Sequence, residues 1–267
     1  MLVDAHFHAD DLCRYRPDFA SWFAPLPDGA SHRGLASCHD AAGYQATLEL
    51  QAAAGARWLV SFGLHPQLPV LDELPLLTRL AESGSIAAIG EAGFDFFGDR
   101  PERLRNPANL ERQRQAFEAQ LELAIRQGLP MVLHLRKASD IIFQYSSQLS
   151  RLPGFILHGW SGPANEAASL LQRCPRACFS FGTGLLNGNR KAAACVARLP
   201  ATALLTESDA PYQPPRAAPK PGAAIVRAWS EPADVLPTLA LMAAIRGCDC
   251  QQLEERIETN FKELFRL

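Results

Sequence analysis

Six residues able to hold a metal ion or move a proton stand at equivalent places in the chain. His6, His8, Glu91, His134, His158 and Asp209 each close, or closely follow, a short apolar run rich in β-branched residues. His6 and His8 form a His-x-His pair, and alternate residues of a strand face the same way, so both imidazoles can reach one ion. A lone pair of this kind is as often core packing as ligand; six ligand-type residues in matching positions are a specific pattern. Four imidazoles and two carboxylates exceed what one tetrahedral ion takes and suit two ions with open positions. A carboxylate such as Glu91 can bridge ions about 3.5–4 Å apart, which would make hydroxide available near neutral pH and polarise the bond to be cleaved. Softness favours Zn, Mn, Co or Ni over Mg, but availability can override affinity. The expected cofactor is therefore two divalent ions, with Zn, Mn and Mg open.

The elements that must position these residues follow from the hydrophobic pattern. Eight apolar runs recur: 2-LVDAH, 33-RGLASCH, 57-RWLVSFG, 86-IAAIGE, 130-PMVLH, 154-GFILH, 178-CFSFG and 203-ALLTES. Longer stretches of helical period separate them. In 109-NLERQRQAFEAQLELAIRQG the residues Leu110, Phe117, Leu121, Ala124 and Ile125 share a face, and Gly128 supplies a stop. Apolar strands alternating with amphipathic helices pair in parallel through right-handed crossovers. Eight such units predict an α/β fold of one domain over residues 1–267, a (β/α)8 TIM barrel. The doubly wound alternative lacks its usual sign, since neither G-x-G-x-x-G nor G-x-x-x-x-G-K-[ST] occurs. In a barrel the C-terminal strand ends form the active-site face. On this reading Glu91 ends strand four, Asp209 sits one residue past strand eight, and His65 faces the same mouth. His39 and His32 are expected to be bystanders.

Composition sets the outer limits. Of 267 residues 48% are hydrophobic, and 26 Lys plus Arg against 28 Asp plus Glu leave a formal charge of −2. No global basic field exists to hold nucleic acid, so any such binding is local. No charged-then-apolar leader opens the chain and no apolar run approaches the roughly 20 residues of a membrane span, so a cytoplasmic protein without membrane contact is expected. Seven cysteines without C-x-x-C spacing predict reduced, mostly buried thiols, with Cys248 and Cys250 a weak metal candidate. The proline-rich stretch 211-PYQPPRAAPKPGAA is expected to be a loop over one end of the barrel.

Along nearly its whole length the sequence resembles the TatD-like metal-dependent deoxyribonucleases of the amidohydrolase superfamily. The resemblance rests on DAHFHAD, GLHP, IGEAGFDFF, QRQAFEAQLELAIRQGLPMVLH, LHGWSG, FSFG, LLTESDAPY and NFKELFRL. It implies that His6, His8 and Asp209 hold one ion, His134 and His158 the other, and that Glu91 bridges them. It also implies phosphodiester hydrolysis, with Asp209 as the base for the attacking water and His65 and Arg136 as substrate contacts. Arg136 could equally pair with an acidic loop residue, and His65 could instead cap the loop before Pro66. Asp95 is expected to orient a metal-binding histidine, and the other residues of FDFF at 94–97 to pack the rim.

The chain departs from the family pattern at Leu135, Gly159, Trp160 and Ser208. It also has Ala217, Ala218, Ala223, Ala224 and Ser230 where the family carries a basic stretch. With a weak basic rim, the expected substrate is short single-stranded or frayed DNA gripped over a few nucleotides, with cleavage from an end one open mode, by a monomer without a stable protein partner. A two-metal amidase, lactonase or other ester hydrolase is the alternative, and a non-catalytic metal-binding protein a weaker third. Tyr15, Phe19, Trp22 and Phe23 in the 11–32 loop could stack bases, but a local apolar cluster suits them better. Arg100, Arg103 and Arg105, interleaved with Asp99 and Glu102, read as a solvated or self-paired loop.

Overall fold

The computed structural model describes residues 1–98, 100, 103–216 and 227–267. Eight strands, β1 (Val3–Phe7), β2 (Arg33–Cys38), β3 (Leu59–Phe62), β4 (Ala88–Asp95), β5 (Met131–Arg136), β6 (Phe155–His158), β7 (Ala177–Phe181) and β8 (Leu204–Thr206), pair in sequence order. All the ladders are parallel. Each expected run overlaps one of these strands. Nearly every strand residue is buried, which is why the runs read as continuously apolar rather than alternating. The fold is the expected TIM barrel.

The longer helices are α1 (Ala41–Ala54), α2 (Leu74–Glu82), α3 (Pro107–Gln127), α4 (Ala164–Arg173), α5 (Arg190–Arg198), α6 (Val235–Arg246) and α7 (Cys250–Phe265). The start of α3 is fixed by Asn106, whose side chain accepts from the Asn109 N–H, and by Pro107 in the first turn; Gly128 ends it in the left-handed conformation. Its inner face buries Phe117, Leu121 and Ala124 as the periodicity predicts, while Leu110 and Ile125 are half-buried. It also buries Gln113 and Gln120, which bond to the backbone where β3 and β4 end. Gln113 accepts from Asp95 N at 2.8 Å and donates to Asp95 O at 3.0 Å, and Gln120 does the same for Leu64 at 2.8 and 3.2 Å. Backbone groups that leave the ladders thus stay satisfied away from water.

After β1 and β5 the helical layer shrinks to short turns, Ala9–Leu12 and Phe19–Phe23 in the first case and Ser139–Leu149 in the second. The 11–32 stretch holds itself down: Phe19 and Phe23 are buried, and Phe23 stacks on Phe7 with ring centroids 4.9 Å apart. Tyr15 stacks on Trp229 and Trp22 on His32. None of the four aromatics lines the mouth of the barrel. The calls that fall on Asp99, Glu102, Ala217, Ala218, Ala223 and Ala224 lie outside the described residues.

Several strand ends that carry site residues differ from the sequence reading: β1 stops at Phe7, so His8 just follows it, and β5 runs on to Arg136, two residues past His134. β4 runs on to Asp95 because it keeps pairing with β5 as far as Arg136, so Glu91 lies inside the strand rather than at its end. β8 stops at Thr206, which leaves Asp209 three residues past it, at a backbone φ of 54°.

Among the described residues no ladder joins β8 to β1, and the seam is closed by other bonds. Asp209 N donates to His6 O at 2.9 Å and His8 N to Ala210 O at 2.7 Å. Thr206 Oγ1 donates to Val3 O at 2.5 Å, and the buried Asp4 carboxylate accepts from Ser208 N at 2.8 Å and Ser208 Oγ at 2.7 Å. Burial pushes the Asp4 carboxyl up to about 7 against these two bonds. At the opposite end of β1, Glu258 on α7 takes the Met1 ammonium at 2.8 Å, Lys262 at 2.7 Å and Arg33 at 3.4 Å. Partial burial raises the Glu258 carboxyl, but the bonds from Lys262 and Met1 outweigh it and hold it at about 2.

Two stability measurements test this closure. Asp4→Ala strands two buried donors and is expected to cost about 2–5 kcal/mol in urea unfolding, with Asp4→Asn well below that because it keeps an acceptor; equal losses would remove Asp4 as the seam's lock. Glu258→Gln is expected to cost about 0.5–1 kcal/mol at neutral pH. Because the folded carboxyl titrates below its ordinary 4.5, the contribution is complete above that value and fades as pH falls towards about 2. The gap between variant and parent should narrow over that window, and a gap independent of pH would contradict the assignment.

Candidate active site

Glu91 lies at the centre of the barrel mouth, 2% exposed, with six imidazoles around it. Its two oxygens divide them evenly. Oε2 faces the Nε2 atoms of His39, His8 and His6 at 3.1, 3.4 and 3.5 Å. Oε1 faces His158 Nε2 at 2.6 Å, His134 Nδ1 at 3.0 Å and His65 Nε2 at 3.8 Å. Asp209 Oδ1 stands 3.6 Å from both His6 and His8 Nε2. The structure therefore brings together all six residues singled out from the sequence, and His65 with them. Glu91 reaches this centre from mid-strand through a register shift between Ile89 and Ala92, which re-aims the side chain. Gly90 makes that possible: at its φ of 146° a Cβ would stand 2.3 Å from Val132 O.

Outer partners fix several rings. Asp95 Oδ2 binds His134 Nε2 at 2.8 Å, as the sequence suggested, and is itself held by Gln67 Nε2 at 2.8 Å, while its Oδ1 accepts from Phe97 N at 2.7 Å. An ionised carboxylate only accepts, so His134 carries a proton on Nε2 and turns its Nδ1 towards Glu91. His6 Nδ1 meets Ser37 Oγ at 3.1 Å, and Ser37 in turn meets Ser61 at 2.8 Å. His6 Nε2 and His8 Nε2 are 3.2 Å apart, hydrogen-bonded where one of them carries the proton and close enough to share an ion with Asp209 where neither does.

Burial pushes Glu91 up, but His6, His158, His65 and His134 hold its carboxyl well below the usual range. Burial likewise raises Asp209, and His8, His158 and His6 pull it below. Burial and the neighbouring His6 depress His158 to about 3, whereas Asp95 and Glu91 raise His134 against its burial. Side chains around this centre form four groups whose ligand atoms are close enough to share a cation: His6 with Glu91 and His158, His6 with His8 and Asp209, His8 with His39 and Glu91, and His65 with Glu91 and His134. Buried nitrogen lone pairs facing carboxylates at about 3 Å suit divalent cations.

Three features went beyond the sequence reading or against it. His39, expected as a bystander, faces Glu91; the signal was its place at the end of β2, equivalent to that of His134 and His158. His32 does stay away, stacked on Trp22. Glu207, in the ESD motif, is buried beside the centre, with Oε2 accepting from Ser180 Oγ and lying 3.9 Å from His158 Nδ1. Burial and the Asp209 charge push its carboxyl up. Phe97 does not pack the rim as Phe94 and Phe96 do: it is 59% exposed, with Lys137 Nζ 5.1 Å from its ring centroid.

These residues floor a cleft of about 960 Å³, lined also by Asp11, Asp40, Glu73, Arg136, Lys137 and Arg216. The loops after β1 to β3 supply the carboxylates, and those after β5 and β8 the cations. Arg136 Nη1 donates to Gly159 O at 2.8 Å; a Cβ on Gly159 would stand 2.9 Å from Arg136 Nη2, so the glycine in place of the family's common cysteine leaves room for this guanidinium. Arg105 is paired with Asp140 at 2.5 Å and Arg103 donates to Gln67 at 3.1 Å, so neither forms a free phosphate track. Cys248 and Cys250 are exposed, and neither belongs to a cation-sized group among the described residues.

Comparison with known proteins agrees with this geometry. The family profile described as "TatD related DNase" matches residues 3–266. The chain is 36% identical over 197 residues to the "3'-5' ssDNA/RNA exonuclease TatD" of Erwinia billingiae, covering 72% of this chain and 70% of that protein. It is 36% identical over 195 residues to the protein of the same name from Enterobacter lignolyticus, covering 71% and 69%. Among solved structures, a TatD homologue from Escherichia coli K12 superposes with a TM-score of 0.81 at 24% identity, over 100% of this chain and 98% of that one. A TatD-family hydrolase from Entamoeba histolytica gives 0.77 at 17%, over 98% and 97%. No helix among the described residues is long and apolar enough to cross a membrane. With the profile matched from the first strand to the last helix, and relatives above 30% identity over more than two thirds of the chain, this protein belongs to the TatD-related DNase family.

Proposed function

We propose that this chain is a two-metal exonuclease that removes nucleotides from single-stranded DNA or RNA ends. The observation that carries the reading is the division of imidazoles about Glu91, three to each oxygen, with Asp209 beside one set. In this reading His6, His8 and Asp209 hold one ion, His134 and His158 the other, and Glu91 spans both. The nitrogen-rich set favours Zn or Mn over Mg. Bound there, such ions would polarise a phosphodiester and acidify the attacking water.

The chain's own groups do the rest. Asp209 is kept ionised by the surrounding imidazoles, and Gln213 Nε2 holds its Oδ2 at 2.5 Å, so it is oriented to take a proton from water. His65 Nδ1 accepts from Gln67 N at 3.2 Å, which places the ring proton on Nε2, facing the cleft, where it can donate to a phosphate oxygen. Arg136 and Lys137 line the same wall and meet the next phosphates. The exposed Phe97 ring offers a face on which an unpaired base can stack, a contact worth about 1–3 kcal/mol. Asp11, Asp40 and Glu73, which line the same cleft from the segments after β1, β2 and β3, would repel a second strand's phosphates, which favours single-stranded ends over duplex.

Chelation of the protein should abolish hydrolysis of 5′-labelled single-stranded DNA, and added Mn or Zn should restore it. Glu91→Ala and Asp209→Ala should each lose more than the roughly 10–100-fold expected for the outer partner change Asp95→Ala. Turnover of carboxylic esters or amides without any phosphodiester would replace the nuclease reading with the acyl-hydrolase one. Lys137→Ala and Phe97→Ala should raise KM for oligonucleotides several-fold while leaving a simple phosphodiester unaffected. For Lys137→Ala, the slope of log affinity against log salt should also drop by about 0.7. Equal loss on both substrates would place these residues elsewhere in the mechanism.

A further inference from the structure

The two histidines that flank the six-residue set, His39 after β2 and His65 after β3, look alike by position, since their rings lie 5.0 Å apart and each faces one Glu91 oxygen. Their hydrogen bonds make them chemical opposites. His65 Nδ1 is an acceptor, taken by the Gln67 N–H, so its Nε2 carries the proton and presents a donor. His39 Nδ1 meets Gly63 O at 3.3 Å. A carbonyl oxygen only accepts, so Nδ1 carries the proton and Nε2 is left with a lone pair.

That lone pair has no hydrogen-bond partner, although the atom is buried. It lies 3.1 Å from Glu91 Oε2, nearer than either member of the His-x-His pair, and within ligand-sharing distance of His8. A lone pair held against a buried carboxylate oxygen is repulsive unless a positive charge lies between them. The ring is not free to turn away cheaply, because the Gly63 carbonyl anchors its other nitrogen.

We infer that His39 is a further metal ligand, a nitrogen donor from β2 to the ion at the Oε2 side of Glu91, while His65 stays outside the coordination sphere as a donor to substrate. This rests on the two-ion reading above. It would add His39 to His8 and Glu91 as ligands on that side, a nitrogen-rich set that suits Zn, Mn or Co better than Mg.

The test is cobalt binding to chelator-stripped protein, followed by titration calorimetry and by the visible absorption of the bound Co ions, for the parent, His39→Ala, His39→Gln and His65→Ala. Thermal unfolding of each stripped variant checks that it is folded; the His39 side chain is 29% exposed, so its removal leaves no sealed cavity. Both His39 variants are expected to bind one of the two Co ions at least about tenfold more weakly, a loss that even outer partners of metal sites produce. The absorption of that ion should shift, and His65→Ala should match the parent in both readouts. Parent-like affinity and spectrum in the His39 variants would overturn the inference and leave the two-ion reading intact. A parent that binds no Co, or a single ion, would overturn both.

Discussion

Everything at the mouth of this barrel answers to one crowded carboxylate. Glu91 has six imidazole nitrogens within 3.8 Å and almost no access to water. Neutral imidazoles pointing lone pairs at an anion repel it, and six imidazolium rings packed together would repel one another more strongly. Divalent cations between nitrogen lone pairs and the carboxylate oxygens would relieve both costs without adding bulk. In that reading the metal-free protein keeps an unrelieved electrostatic cost at its centre, and ion binding contributes to folding stability as well as to chemistry.

Holding this centre explains features of the fold that are otherwise odd. The imidazoles and carboxylates come from seven of the eight strands or the segments that follow them, so their spacing depends on barrel closure. That closure is weakest between β8 and β1, which carry His6, His8 and Asp209. Asp4, Ser208 and Thr206 supply there, through side chains, the bonds that a ladder supplies elsewhere. The replacement of the family's usual threonine by Ser208 keeps the hydroxyl that meets Asp4 and loses only a methyl group. On the far side, β4 bulges to bring Glu91 inward, and Gln113 and Gln120 of α3 satisfy the neighbouring backbone.

Much of this was legible from residue order, because a barrel maps sequence position directly onto place around a ring. A histidine or carboxylate at the end of each apolar run must face the same mouth, so His6, His8, His134, His158 and Asp209 could be placed together before any distance was known. What escaped was set by interactions that no local pattern carries. The length of β4 depends on how far β5 pairs with it, and so Glu91 looked terminal when it is internal. His39 had the right position but no partner in sequence; its role turns on a hydrogen bond to Gly63, 24 residues away. Phe97 looks like Phe94 and Phe96 in the sequence and differs because β4 ends at Asp95, which leaves the ring beyond the packed layer.

The near-neutral net charge also takes on a different meaning once charges are assigned to strands. A charge of −2 spread evenly would say only that the chain has no general affinity for polyanions. Here the lining cations Arg136, Lys137 and Arg216 come from the ends of β5 and β8, and the carboxylates Asp11, Asp40 and Glu73 from the segments after β1, β2 and β3, so the charges are segregated by strand although the total is small. A cleft charged in this way discriminates between polyanions by width. One strand can lie along the cations with a phosphate over the centre and a base against Phe97, whereas a duplex would carry its second backbone onto the carboxylates. The same field limits reach, since Arg103 and Arg105 are engaged by Gln67 and Asp140 and extend no track beyond the mouth. Affinity for a long strand must then come from its end, where the reacting phosphate and its neighbours are the only ones within range of both the metal centre and these cations.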